Sequence, residues 1–157
     1  MLALAADGTA YAWGSNSNGQ LGNGTTSSSS TPVAVSLPAG VRLVQVAVGS
    51  NYSLALAADG TAYAWGANNN GQLGIGTTTS SSTPVAVSQG AMPTGTRLVQ
   101  IAAGNYHAVA LAADGTVYAW GSNNDGQLGN GTTNSTANST PNAVSQGRCR
   151  PAPAWCR

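Results

Sequence analysis

One histidine, four aspartates, five arginines and two cysteines are the side chains from which acid–base, metal or thiol chemistry would have to be built in this sequence; there is no glutamate and no lysine. A catalytic or metal-bound histidine needs a carboxylate or second ligand beside it. His107 has no such partner at a recognisable spacing, and in the preceding copy of its segment Tyr52 stands in its place. The exchange predicts a ring that packs and donates one hydrogen bond. Asn123-Asn124-Asp125-Gly126 opens like a calcium loop, but such loops need several carboxylates and a bidentate glutamate. The parallel segments read Asn16-Ser-Asn-Gly19 and Asn68-Asn-Asn-Gly71, so no metal is expected. Asp7, Asp59 and Asp114 each precede a glycine, which is hairpin-turn chemistry. No Ser-His-Asp or Cys-His set can be assembled, and no phosphate-binding glycine loop precedes a helix. The expectation is a protein with no catalytic, cofactor-binding or metal-binding residues, and not an enzyme.

The elements that carry these residues are legible from repetition. Leu2 to Gly14 returns at Leu54 to Gly66 and, slightly altered, at Val109 to Gly121. The three aspartates are 52 and then 55 residues apart, the extra three falling in Ala91-Met92-Pro93-Thr94-Gly95. A period near 50 with β-type composition points to propeller blades. Twenty-one glycines, abundant Asn, Ser and Thr and no phenylalanine support a turn-rich β protein. Strands are predicted at Leu43–Ala47, Ser53–Ala57, Thr61–Trp65 and Thr83–Val87, with counterparts at Leu98–Ala102 and Ala108–Ala112. Asp59-Gly60 is predicted as a two-residue type I′ turn with positive φ at both residues. Tyr11/Trp13, Tyr63/Trp65 and Tyr118/Trp120 share a strand face. They would line a carbohydrate or peptide groove or, the reading favoured by their recurrence, pack between blades. The serine/threonine runs 25–31 and 77–83 are read as flexible surface loops.

Trp13-Gly-Ser-Asn-Ser-Asn-Gly-Gln-Leu-Gly-Asn-Gly24, Trp65–Gly76 and Trp120–Gly131 match W-G-x-N-x-x-G-Q-L-G-x-G without a gap. Gly104-Asn-Tyr-His-Ala-Val-Ala-Leu111 matches a second signature, G-x-x-H-x-x-A-L. On these motifs the chain resembles the regulator-of-chromosome-condensation repeat family over residues 2 to about 147. The resemblance implies an all-β fold, an incomplete β-propeller of about three four-stranded antiparallel blades out of an expected seven or so. The glycines of the motif need no ligand to explain them: Gly19, Gly22 and Gly24 let the loop turn and let its backbone pass close to the neighbouring blade. Gln20 and the asparagines satisfy loop backbone groups, and Leu21 plugs the loop into the core. The expected organisation is a partial first repeat at 1–36 (hairpin, Gly/Asn loop, edge strand), a second at 37–90, a third at 91–147 and an aberrant tail at 148–157.

That tail, Arg148 to Arg157, holds both cysteines, Cys149 and Cys156, and Trp155. A coding sequence for Ala-Met-Pro-Thr-Gly-Thr-Arg-Leu-Val-Gln, the continuation after Gly90, yields the observed tail when its first base is dropped. The tail is therefore expected to be a frameshifted continuation of a further repeat, and the chain a fragment.

The net charge of +1 gives no electrostatic reason to expect nucleic acid or an anionic membrane. No apolar run reaches the roughly 20 residues of a membrane span. No signal peptide is read at Met1, since Asp7-Gly8 interrupts the apolar stretch early. Asn23, Asn51, Asn130, Asn134 and Asn138 begin glycosylation sequons that this composition produces by chance. The resemblance implies a protein-interaction scaffold with a protein partner. It also implies two alternatives: guanine-nucleotide exchange on a small GTPase, or a secreted bacterial inhibitor or adhesion propeller. The absence of Lys and Glu, with alanine-rich strands and simple Ser/Thr loops, points to an extracellular or cell-surface location in a bacterium.

Overall fold

Short alternating apolar segments separated by glycine-rich turns give eleven strands in the computed structural model, which describes residues 1–145. They are β1 (Leu2–Leu4), β2 (Ala10–Gly14), β3 (Ser29–Ala34), β4 (Leu43–Val48), β5 (Tyr52–Ala57), β6 (Ala62–Gly66), β7 (Ser81–Ala86), β8 (Leu98–Ala103), β9 (His107–Ala112), β10 (Val117–Asn123) and β11 (Asn134–Ala143). They form three antiparallel sheets in the orders β1-β2-β3, β4-β5-β6-β7 and β8-β9-β10-β11. Each sheet is one up-and-down blade, and the first lacks a strand equivalent to β4 and β8. The described residues contain no helix, and so none long and apolar enough to cross a membrane. The tail, with Cys149, Trp155 and Cys156, lies outside the described residues.

Two local expectations are corrected. Among the described residues none other than glycine has a positive φ, so Asp59-Gly60 is not a type I′ turn. The Gly60 amide donates to Ala57 O at 3.0 Å and the Ala57 amide to Thr61 O at 2.9 Å. The loop is therefore three residues, with Ala58 and Asp59 at the centre of the turn and Gly60 (φ +90°) completing a bulge. Asp59 keeps a right-handed backbone because its carboxylate accepts the Thr61 amide at 2.9 Å. The serine/threonine runs are also not wholly loops. Their second halves open β3 and β7, and β7 begins at Ser81, two residues before the predicted Thr83. Pro32, Pro84 and Pro141 fall in the outermost strand of each sheet, where the missing N–H faces no partner.

The core lies between the sheets. One cluster joins Ala10, Ala12 and Leu21 of the first blade to Leu43, Ala55, Ala57 and Trp65 of the second. The other joins Tyr52, Leu54, Leu56 and Leu73 of the second blade to Ile101, Ala108, Ala110, Tyr118 and Trp120 of the third. Trp65 and Trp120 are completely buried. The Trp65 indole N–H donates to Gln20 O at 3.0 Å in the blade before it, and Trp120 repeats the bond to Gln72 O at 3.0 Å. Space for each indole exists because the loop residue beneath it is a glycine. A Cβ on Gly22 would lie 2.6 Å from Trp65 Nε1, and one on Gly74 would lie 2.6 Å from Trp120 Nε1. The expected close passage between blades is therefore made at the tryptophans. A side-chain clasp adds to it at the inner strands. Gln45 Nε2 donates to Ile101 O at 2.8 Å while Gln45 Oε1 accepts the Ile101 amide at 3.0 Å.

Gly74→Ala should lower the unfolding free energy by roughly 2–5 kcal/mol, combining a left-handed backbone cost with overpacking against the indole. Gly95→Ala, at φ +83° with open space around it, should cost only the backbone part, about 1–2 kcal/mol. Urea unfolding of the two variants measures the difference.

Candidate interaction face

Antiparallel up-and-down blades place all their hairpins and crossovers at two ends. One end collects the hairpins at Asp7-Gly8, Asp59-Gly60 and Asp114-Gly115 and the connections 35–42 and 87–97. The backbone locks these into a row. Leu43 N donates to Gly8 O at 3.1 Å and Leu98 N to Gly60 O at 3.1 Å, so each connection grips the hairpin of the preceding blade. Ala58 N to Arg42 O and Ala113 N to Arg97 O, both 2.9 Å, attach the same connection to its own blade. The arginine stems lie across the glycines, and the guanidinium of Arg97 donates to Ala58 O at 3.2 Å.

This end holds five of the six charged side chains among the described residues: Asp7, Arg42, Asp59, Arg97 and Asp114. Asp125 alone is at the other end. The carboxylates of Asp7, Asp59 and Asp114 are held below the usual aspartate range, chiefly because each accepts a backbone N–H, from Thr9, Thr61 and Thr116 respectively. Between the tips are open clefts. One is lined by Asp59, Thr61, Val87, Met92, Pro93 and Thr96. It exists because the connection 87–97 carries the three extra residues seen in the repeat spacing. That connection is ordered by Thr96 Oγ1 donating to Pro93 O (2.7 Å) and Gln89 Nε2 donating to Thr94 Oγ1 (3.1 Å).

At the opposite end the repeated polar residues are used in packing. Asn68 is fully buried; its Nδ2 donates to Thr77 O and Thr79 O, both 2.9 Å, and its Oδ1 accepts the Leu73 amide at 3.0 Å. Asn16 and Asn123 make the same strap to Leu21 and Leu128. Asn123, which opens the calcium-like segment, is thus a loop brace. His107 rests its ring on Gly104 as Tyr52 rests on Gly49. The Tyr52 hydroxyl, its ionisation strongly opposed by burial, donates to the His107 carbonyl in the next blade. Every buried side-chain polar atom among the described residues has a partner. The aromatic pairs do not form a groove, since Trp65, Trp120 and Tyr118 are buried. The row of charged tips was not singled out from the sequence. Its signal was present in the arginine preceding each inner strand, Arg42 before Leu43 and Arg97 before Leu98.

Three radially stacked antiparallel sheets, each clasping the next through a tryptophan, are blades of a β-propeller. The model of the regulator of chromosome condensation (RCC1) repeat matches residues 7–56, 59–111 and 114–151, and a second model of that repeat matches 43–72 and 98–127. The chain belongs to this repeat family. It is 38% identical over 133 residues to the human E3 ubiquitin-protein ligase HERC2, covering 85% of this chain and 3% of that one. It is 38% identical over 121 residues to the ultraviolet-B receptor UVR8 of Arabidopsis thaliana, covering 77% of this chain and 27% of the receptor. Among solved structures, Prp20p of Saccharomyces cerevisiae superposes with a TM-score of 0.80 at 25% identity, over 93% of this chain and 36% of Prp20p. Human WBSCR16 does so with a TM-score of 0.78 at 28% identity, over 90% and 34%. The chain thus spans about a third or less of each of these proteins.

Asn68→Ala leaves a buried amide and two carbonyls without partners and should cost roughly 3 kcal/mol in urea unfolding. The aspartate turns give an acid-side dependence. A lowered folded-state pKa contributes stability that is present above the ordinary value of 3.8 and is lost as pH falls through the folded value. Asp59→Asn keeps the acceptor oxygen without the charge. Its stability should fall less steeply than wild type below about pH 4 in unfolding titrations.

Proposed function

We propose that this chain is a non-enzymatic protein-binding module that acts as a scaffold, with the row of hairpin tips and connections as its docking face. The observation that carries this reading is the segregation of side chains. Five of the six charged groups among the described residues stand around the clefts of one end, while the repeated Trp, Gln, Asn and Gly residues of the other end are consumed by packing. Mixed charge beside clefts lined by both polar and apolar residues is suited to a protein surface of complementary pattern, because rim charges set orientation and encounter rate while apolar contacts hold the complex. The relatives support binding as the common activity. Prp20p has been described with binding properties toward Gsp1p and histones, and in complex with Kap60. The first of these gives some support to a second reading, exchange on a small GTPase.

The test is affinity capture by the immobilised chain from the cells that produce it. A partner retained by wild type should be retained at least tenfold less by Asp59→Arg/Arg97→Glu and equally well by Asp125→Asn at the far end. Retention indifferent to the tip reversals, or lost with Asp125→Asn, contradicts the assigned face. Release of labelled nucleotide from a small GTPase, measured with and without the chain, separates exchange from scaffolding: acceleration supports the second reading and unchanged release the first.

A further inference from the structure

The cleft beside Asp59 owes its shape to the longer of the two connections between blades. In the shorter connection, 35–42, Leu37 and Val41 pack against the first core cluster. Gln89 and Thr96 stand in their places in the connection 87–97. Met92, from the inserted segment, packs against the second cluster together with Val87. The insertion is anchored at both ends of its span. Met92 N donates to Gln89 O at 2.8 Å, and Ala91 N donates to Pro141 O, in the outer strand of the third blade, at 2.9 Å. A hollow is thus held open between the hairpin of the second blade and the connection that leads into the third.

Size, charge and lining together define what fills it. Its volume of about 240 Å³ lies below the roughly 300–1,000 Å³ of small-molecule sites, which suits one side chain of a partner better than a whole metabolite. Asp59 is the only charged residue that lines it. The carboxylate is kept ionised chiefly by the Thr61 amide, and the Arg97 charge is the smallest of its influences. The Arg97 guanidinium is bonded to Ala58 O and leaves Asp59 unneutralised. Val87, Met92 and Pro93 give an apolar wall. Gln89 uses Nε2 on Thr94 Oγ1 at 3.1 Å, and its carbonyl oxygen is a second acceptor outside that bond. An apolar wall that ends in a carboxylate and an amide oxygen matches a long aliphatic stem with a cationic head.

We propose that this cleft receives one arginine or lysine side chain of a protein partner, its stem along Met92 and Val87 and its cationic head on the Asp59 carboxylate. The inference rests on the docking reading of this end and names the chemistry of the partner there. Both halves of the contact are needed. An exposed ion pair alone contributes little, so the stem must bury against the wall for the pair to hold. The equivalent hairpin at Asp7 faces the shorter connection, which has no counterpart of Met92, and is not such a site.

The probe is the peptide acetyl-Gly-Arg-Gly-amide, titrated into the full chain and followed by NMR at the Met92 methyl and the Thr61 and Thr96 amides. Saturable shifts are expected at all three. The same peptide with citrulline keeps the stem without the charge and should bind about fivefold more weakly. Affinity for the arginine peptide should also fall as salt is raised. Asp59→Asn keeps the turn acceptor and should weaken the arginine peptide by about the same fivefold factor, while Asp7→Asn leaves it unchanged. Met92→Ser leaves the hairpin intact and should weaken it about threefold through loss of the stem contact; this variant decides the matter if Asp59→Asn moves resonances throughout the second blade. Absence of shifts at Met92, equal binding of citrulline, or equal loss with Asp7→Asn overturns the proposal. The docking face is judged separately by affinity capture. A partner lost with Asp59→Arg/Arg97→Glu beside an arginine peptide that fails to bind overturns the cation pocket and sustains the face. A peptide that binds beside a partner indifferent to those reversals sustains the pocket and overturns the face.

Discussion

A tryptophan indole donating one hydrogen bond across to a glutamine main-chain carbonyl in the neighbouring blade is the contact on which the rest of this structure depends. The donor is buried, and in a buried site an indole N–H without an acceptor carries a desolvation cost of about 1–3 kcal/mol. The acceptor must therefore be delivered accurately, and the surrounding sequence does that. Gly22 and Gly74 keep the space under the ring empty. Leu21 and Leu73 anchor the loop in the core below. Asn16 and Asn68 hold the leucine amide and the following Ser/Thr strand in one clasp.

This contact also explains why the strands are so rich in alanine. Ala10, Ala12, Ala55, Ala62, Ala64, Ala108 and Ala110 are buried on sheet faces that meet another sheet. Small side chains let two blades approach closely enough for the indole to span the gap, but each contributes little buried area. A single sheet of this composition has almost no core of its own. Stability is then a property of neighbouring pairs, as in other repeat architectures. The sequence repeat and the blade are also out of phase: the family match 7–56 begins in the first blade's hairpin and ends in β5 of the second. The covalent chain thus crosses each blade contact within one repeat.

Much of this was legible before the structure. The spacing of Asp7, Asp59 and Asp114 marked the blades, and the alternation in Leu54-Ala-Leu56 and Tyr63-Ala-Trp65 marked strands and their faces. The motif glycines and asparagines were assigned to packing on the ground that they recur in every copy, and the straps and indole sockets are that packing. Two features were not legible because they depend on which neighbour a residue finds. The Asp-Gly hairpin has three loop residues, since the Thr61 amide gives Asp59 an acceptor's role that keeps it right-handed. The Ser/Thr runs look unstructured as composition, yet the Asn16 and Asn68 side chains capture their carbonyls and lead them into β3 and β7. The charged face was hidden for a similar reason: Arg42 and Asp7 are distant in sequence, and only the connection between blades brings them to one end.

The central claim is that stability resides in the contact between blades. It is tested most directly by hydrogen exchange of the Trp65 and Trp120 indole N–H groups, followed by NMR across a denaturant series. Both should exchange only through global unfolding, with opening free energies equal to that of the slowest backbone amides in β5 and β9. Exchange of either indole through a smaller, denaturant-independent opening, while those strand amides stay protected, would show that each blade holds together without its neighbour and would contradict the account.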